Sequence, residues 1–183
     1  MEIDPRLLRD CLGNFTTGVT VVTSRTPAGD PHGATVNSFT SVSLTPPLVL
    51  VSMGTKSKAA AHLPGQPFAV NVLRREQQSV GLHFAGVPDA NADFTWHGAG
   101  TPVLADCLAT IECAPHDIVS AGDHVLVIGR VERCTVNEGQ PLLFYRGDFH
   151  HLGHTSTSAP PTPIDTGAPG WHGEVPLYQQ PVA

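Results

Sequence analysis

The sequence predicts a mainly β fold built from antiparallel strands closing into a barrel, with only a few short helices. Three observations carry that expectation. Short β-branched or apolar runs recur between turn signals, helical spacing is confined to brief stretches, and 183 residues at 40 % hydrophobic content suit one domain with a real core.

Taken in order, Asp4-Pro5 followed by Leu7, Leu8, Cys11 and Leu12 reads as an N-cap, a first-turn proline and an apolar helical face ending near Gly13. Val19 to Ser24 is β-branched, Pro27 to Asp30 is a turn, and Gly33 to Thr40 runs back as the second arm of a hairpin. Alternation then places Thr35, Ser41 and Ser43 opposite Val42 and Leu44, the period of a half-buried strand. Pro46-Pro47 lacks the amide hydrogens of a central strand, so the chain is expected to turn there and return as Leu48 to Ser52. Phe68 to Leu73 is a buried strand, and a helix follows from Glu76 to about Ala85 with Val80, Leu82 and Phe84 among its apolar positions. Ala109 to Ala114, Val125 to Val136 and Leu142 to Tyr145 are further strands, the last two separated by a tight turn at Asn137-Glu138-Gly139.

From His154 the character changes: six prolines and three glycines in thirty residues, with few apolar ones, make no core of their own. We therefore expect a domain over residues 1–153 and a Pro/Gly-rich extension over 154–183. The extension is either disordered or strapped across a subunit by Trp171, Leu177 and Tyr178.

Composition narrows the partners. A net charge of −6 with only ten lysines and arginines argues against nucleic acid. No apolar run approaches a membrane span, and Met-Glu-Ile-Asp-Pro has no secretory character, so a cytoplasmic protein is expected. Cys11, Cys107, Cys113 and Cys134 lack ligand or disulfide-framework spacing and read as ordinary thiols. His150, His151 and His154 lack cysteine or carboxylate companions at metal-ligand spacing, so no metal is assigned. Glycine-rich nucleotide loops, a Gly-x-Ser-x-Gly elbow and a His-Glu-x-x-His pair are all missing.

The informative stretch is residues 33 to 58, where small hydroxyl residues alternate with apolar ones and then lead into a helix start. Met53-Gly54-Thr55-Lys56-Ser57-Lys58 reads as a loop feeding a helix capped by Thr55 or Ser57. Free amides, hydroxyls and two lysines at the positive end of a helix suit a phosphate, for which Ser52, Thr55, Lys56 and Ser57 are the candidates. An ordinary capped surface helix is the competing reading.

Gly33 to Pro47, with Thr17-Gly18-Val19-Thr20-Val21-Val22-Thr23 before it and Gly122-Asp123-His124 after it, is similar to the flavin reductase family, over roughly residues 5 to 152. The family supplies reduced flavin to two-component flavin monooxygenases. The resemblance implies an FMN-binding split β-barrel with antiparallel, Greek-key-like strands, a homodimer, and hydride transfer from NADH, in preference to NADPH, to FAD or FMN. The reduced flavin would pass to a separate monooxygenase. The chain departs from the family at Val36, where alanine is common.

Flavin carries its own redox chemistry, so the protein must hold its polar edge, leave one face open and anchor its phosphate. Thr35, Val36 and Asn37 offer backbone groups to the pyrimidine side, Asn37 and Ser38 add polar side chains, and Ser41 faces the ribityl chain; a satisfied hairpin turn at Asn37-Ser38 is the plainer reading. By the resemblance, Phe84 sits where a helix approaches the flavin, His124 lies near the nicotinamide, and Tyr145 and Arg146 reach the pyridine nucleotide. Each has a plainer reading as well: Phe84 at helical spacing with Val80 as core, His124 as a buried, hydrogen-bonded histidine at a strand start, Arg146 as an exposed turn arginine and Ser41 as an exposed strand serine. Two alternatives stay open: a pyridoxamine-phosphate oxidase-like protein that retains its flavin, and a non-enzymatic flavin or haem binder with His62, His83 or His124 as candidate axial ligand.

Overall fold

The computed structural model describes residues 3–87, 89, 91–98 and 100–153. The Asp4 carboxylate accepts the Arg6 amide at 2.9 Å and so caps α1 (Pro5–Leu12), with Pro5 in the first turn and Gly13 at the end. The helix is amphipathic as the spacing predicts, yet none of it is buried, and Leu7, Leu8 and Leu12 are exposed. Next come β1 (Thr17–Gly18), β2 (Thr20–Arg25) and β3 (Pro31–Val36); β2 and β3 form the expected hairpin, turned at Gly29 with φ +91°.

The expected single arm from Gly33 to Thr40 is broken. Strand β3 ends at Val36, Asn37 and Ser38 form a corner, and β4 (Phe39–Leu44) leaves in a new direction to pair with β5 (Pro47–Gly54). The turn at Pro46-Pro47 is as predicted. The half-buried face expected for Val42 and Leu44 is not present: they are 49 % and 92 % exposed. β4 is an edge strand bulged between Ser41 and Ser43, so the alternation there had only one neighbour to pack against.

After α2 (Lys58–His62) the chain forms β6 (Phe68–Val72), a 3-10 turn at Arg75–Gln77, α3 (Gln78–Phe84), β7 (Trp96–His97) and β8 (Val103–Leu104). Two long strands, β9 (Ala109–Ala121) and β10 (His124–Val136), make a hairpin over a two-residue loop, with Gly122 at φ +65°. The short strands β11 (Leu143–Tyr145) and β12 (Asp148–His150) follow. Asn137 to Gly139 is not a hairpin turn: β10 pairs with β9 and β5, while β11 pairs with β1 and β12 in another sheet.

The main sheet runs β3-β2-β6-β9-β10-β5-β4. Its two edge strands are consecutive in sequence and joined only by Asn37 and Ser38, so the sheet must curl until its edges meet. They meet at Ser38, whose Oγ donates to the Ser52 carbonyl at 2.5 Å while its carbonyl accepts the Ser52 amide at 3.4 Å. The result is a barrel whose seam has no ladder between β3 and β4. This is the antiparallel barrel that the strand pattern predicts, in the split form that the family resemblance implies.

Two cores flank β2, which is buried on both faces. Val22, Val49, Val51, Met53, Phe68, Val70 and Val127 fill the barrel, packed with Ala59 and Ala60 of α2 and with Leu63 at its C-cap. Val19, Val21, Leu73, Val80, Leu104 and Leu142 form a second core outside it, beneath α3. No helix among the described residues is long and apolar enough to cross a membrane.

Candidate functional site

The candidate site lies along β5 and β10, where strand alternation separates a buried face from an open one. Val49, Val51 and Met53 point into the barrel, so Leu50, Ser52 and Gly54 point out. Register places His124 opposite Gly54 and Leu126 opposite Ser52, and the seam adds Ser38 beside Ser52. Of the sequence candidates, Ser38, Ser52, Thr55, Lys56, Ser57 and His124 are therefore gathered along one strand pair and the loop that leaves it.

That loop is locally over-determined. Ser57 caps α2, its Oγ accepting the Ala60 amide at 3.0 Å, which selects Ser57 over Thr55 as the cap. A hydroxyl has one proton to donate, and that of Ser57 has no acceptor among the described residues. Thr55 has spent its donors: both its amide (2.9 Å) and its Oγ1 (3.1 Å) bond the Asp123 carbonyl at the tip of the β9–β10 hairpin. Lys56 is exposed and forms no salt bridge among the described residues. The groups left to hold an anion are thus the Lys56 ammonium and the Ser57 hydroxyl, with the Ser52 hydroxyl on the adjoining strand. Lys58, the first residue of the helix, faces His32 instead: burial, then the charge of His62, and least the charge of Lys58 hold that imidazole below its ordinary range.

At the hairpin tip the His124 Nδ1 lies 2.7 Å from the Asp123 Oδ1. Hydrogen bonding and charge from His124, with a smaller contribution from Lys56, hold the Asp123 carboxyl below the usual carboxylate range. The His124 side chain is about half exposed, and Gly54 places no side chain between its Nε2 and the sheet: a Cβ built there would lie 3.9 Å from that nitrogen. The resemblance assigns a role only to His124; the Gly-Asp pair at a two-residue loop is the sequence signal that Asp123 sits beside it.

The other candidates are placed as follows. Thr35 Oγ1 donates to the Gly81 carbonyl at 2.7 Å, tying β3 to α3, and the Val36 carbonyl accepts from Thr20 Oγ1 at 2.9 Å. Asn37 is exposed at the seam and its side-chain amide has no protein partner among the described residues. Ser41 is exposed on β4, opposite Val49. Phe84 is half-buried in an aromatic cluster, 4.9 Å from Phe94 and 5.8 Å from Trp96 between ring centroids, and it covers Gly33 of β3.

Tyr145 and Arg146 stand apart from this group. The Arg146 guanidinium bonds Asn14 Oδ1 at 2.6 and 2.9 Å and lies 5.3 Å from the Tyr145 ring centre, at the wall of a cleft of about 660 Å³ that Arg9, Asp10, Gly13 and Gly147 also line. Neither residue has a hydrogen bond or ring contact to the Ser52–His124 group among the described residues. No set of three or more His, Cys, Asp or Glu is arranged to hold a metal among those residues, and His154 lies outside them.

The donor set suits a flat, anionic cofactor. Among the described residues, a lysine without a salt bridge and hydroxyl protons without acceptors stand at one end and an unpartnered amide at the seam, with Gly54 and its bare backbone between them and His124. The comparisons with known proteins agree with that chemistry. Residues 12–153 match the family described as flavin reductase like domain. The chain is 41 % identical over 157 residues to an NADH-dependent flavin reductase of a Rhodococcus species, covering 82 % of this chain and 88 % of that one. It is 42 % identical over 153 residues to HsaB, the reductase subunit of a flavin-dependent monooxygenase of Rhodococcus jostii, covering 80 % and 77 %. Two further relatives are longer, and the chain spans 65 % and 48 % of their length. Among solved structures, flavin reductase PheA2 in its native state superposes with a TM-score of 0.79 at 42 % identity, over 83 % of this chain and all of that one. With the barrel, its seam and the match over residues 12–153 in agreement, the chain belongs to the flavin reductase family.

Proposed function

We propose that the protein is an NADH-dependent flavin oxidoreductase that reduces free FAD or FMN and passes the reduced flavin to a separate monooxygenase. The observation that carries the site assignment is the strip from Lys56 and Ser57 through Ser52 and Gly54 to His124, open along its outer face. Bound flavin supplies the acceptor for the hydride that reduced nicotinamide gives up as it becomes oxidised nicotinamide. Lys56 and Ser57 hold the phosphate by charge and a directed hydrogen bond. Asn37 and the backbone at the end of β3 hold the polar edge of the ring, and Ser38 fixes the seam beneath it. His124 positions the nicotinamide above the open face, a role that needs no proton transfer at its ring.

The NADH and monooxygenase assignments draw on the names of the two Rhodococcus relatives. We read the catalytic unit as residues 1–153 and 154–183 as an extension of it, in line with a family match that ends at 153. A homodimer is supported by apolar side chains left uncovered in one copy, on α1 and on the projecting part of β9 at Ile118 and Val119.

Anaerobic mixing of a trace of protein with NADH and excess FMN tests the reading. Bleaching of many flavins per protein is expected. Bleaching limited to one equivalent, with the flavin staying on the protein, would favour a retained-flavin oxidase.

A further inference from the structure

We propose that Asp123 is a positioning residue for hydride transfer: its carboxylate fixes the His124 ring while its backbone carbonyl anchors the phosphate loop, so one hairpin residue sets the spacing between the two cofactor sites. This rests on the reading of His124 given above. The geometry is direct. Asp123 Oδ1 lies 2.7 Å from His124 Nδ1, and the Asp123 carbonyl takes both donors of Thr55, the amide at 2.9 Å and Oγ1 at 3.1 Å.

A ring with Nδ1–H bonded to a carboxylate keeps its proton on that nitrogen when neutral, leaving Nε2 as an acceptor on the Gly54 side. Without that bond the exposed ring rotates freely about χ1 and χ2 and spends much of its time facing water. The pair adds little to stability, because the Asp123 side chain is 92 % exposed and such pairs are screened. Its consequence is orientation: a reacting or positioning group displaced by about 1 Å costs up to about a hundredfold in rate. The Thr55 contacts keep the tip from swinging away from β5, where the ladder of β10 ends at the His124–Gly54 pair.

A double-mutant cycle tests this on the full chain, reading the anaerobic rate of flavin reduction by NADH and, separately, flavin affinity by fluorescence quenching. His124→Ala and Asp123→Ala are each expected to slow reduction, Asp123→Ala by about tenfold, with flavin affinity within twofold of wild type. Asp123→Ala on the His124→Ala background is expected to cost less than twofold more, since its partner is already gone. Asp123→Asn, which keeps an acceptor oxygen, is expected to recover most of the rate. Full additivity of the two alanine changes, or a wild-type rate for Asp123→Ala beside a slow His124→Ala, would overturn the positioning role. A wild-type rate for His124→Ala would instead overturn the reading of His124 beneath it. Because the tip is exposed, all four variants are expected to melt within a few degrees of wild type.

Discussion

At the scale of single residues, what decides a role here is how many donors the fold has already used. Thr35, Ser38, Thr55 and Ser57 look alike in sequence, all hydroxyl residues in a hydroxyl-rich stretch, yet Thr35 and Ser38 bond backbone carbonyls, Thr55 clamps the hairpin tip, and Ser57 accepts the Ala60 amide with its proton left without an acceptor among the described residues. The partners of Thr35, Ser38 and Thr55 lie 14 to 68 residues away, so residue type alone could not separate them from Ser57. The cysteines divide by the same physics. Burial pushes the Cys107 thiol up to about 11 and Cys113 to about 12, whereas Cys11 and Cys134 are exposed. Because the thiolate is the nucleophile, titration of the native protein with an aromatic disulfide reagent at neutral pH is expected to modify two thiols quickly, and all four after denaturation. Rapid reaction of four thiols in the native state would contradict this burial.

At the scale of elements, the strands and helices were legible where a segment's own pattern matched its final environment. Asp4-Pro5, the β2–β3 hairpin and the Pro46-Pro47 turn each carry their signal locally. The second half of β9 does not, since Ala114-Pro115-His116-Asp117 reads as a strand end. The strand continues because a bulge lets Gly129 stand opposite Pro115 and Ile128 opposite Asp117, leaving His116 as the extra residue. Gly129 is required there for a second reason. A Cβ would lie 2.5 Å from the Phe68 ring and 2.7 Å from the Cys113 Cβ, both in the barrel core. Gly129→Ala is therefore expected to destabilise the fold by about 1–3 kcal/mol, the usual cost of overpacking a core, as read from urea unfolding. Gly18→Ala, which meets nothing within 4 Å, serves as the comparison. Equal stability of the two variants would show that the core at Phe68 yields.

At the scale of the whole molecule, the topology creates the site. Edge strands consecutive in sequence force the sheet to close, and closure brings Ser38 to Ser52 and leaves the outer face of β5 and β10 open beside the loop at Thr55 to Ser57. The sequence could place these pieces in order but not bring them together, because the β10–β5 register joins residues 70 to 82 positions apart. It likewise could not show that Arg146 is tied to Gly13 and Asn14 at the end of α1, with the Tyr145 ring against its guanidinium. The apolar residues left uncovered on α1 predict a second copy: light scattering is expected to give twice the 19.3 kDa chain mass, and Leu8→Asp is expected to shift the protein towards monomer. A monomeric wild type would mean that this face serves something else.

The central claim, that Lys56 and its neighbours hold a flavin phosphate on this open strip, is tested most directly by steady-state NADH oxidation against FMN and against riboflavin, in wild type and Lys56→Ala. Saturable turnover with both flavins is expected, with the KM for FMN rising about tenfold in the variant, near 1.4 kcal/mol of lost phosphate binding, and the KM for riboflavin unchanged. Equal effects on both flavins, or none on either, would contradict the placement of the phosphate at Lys56.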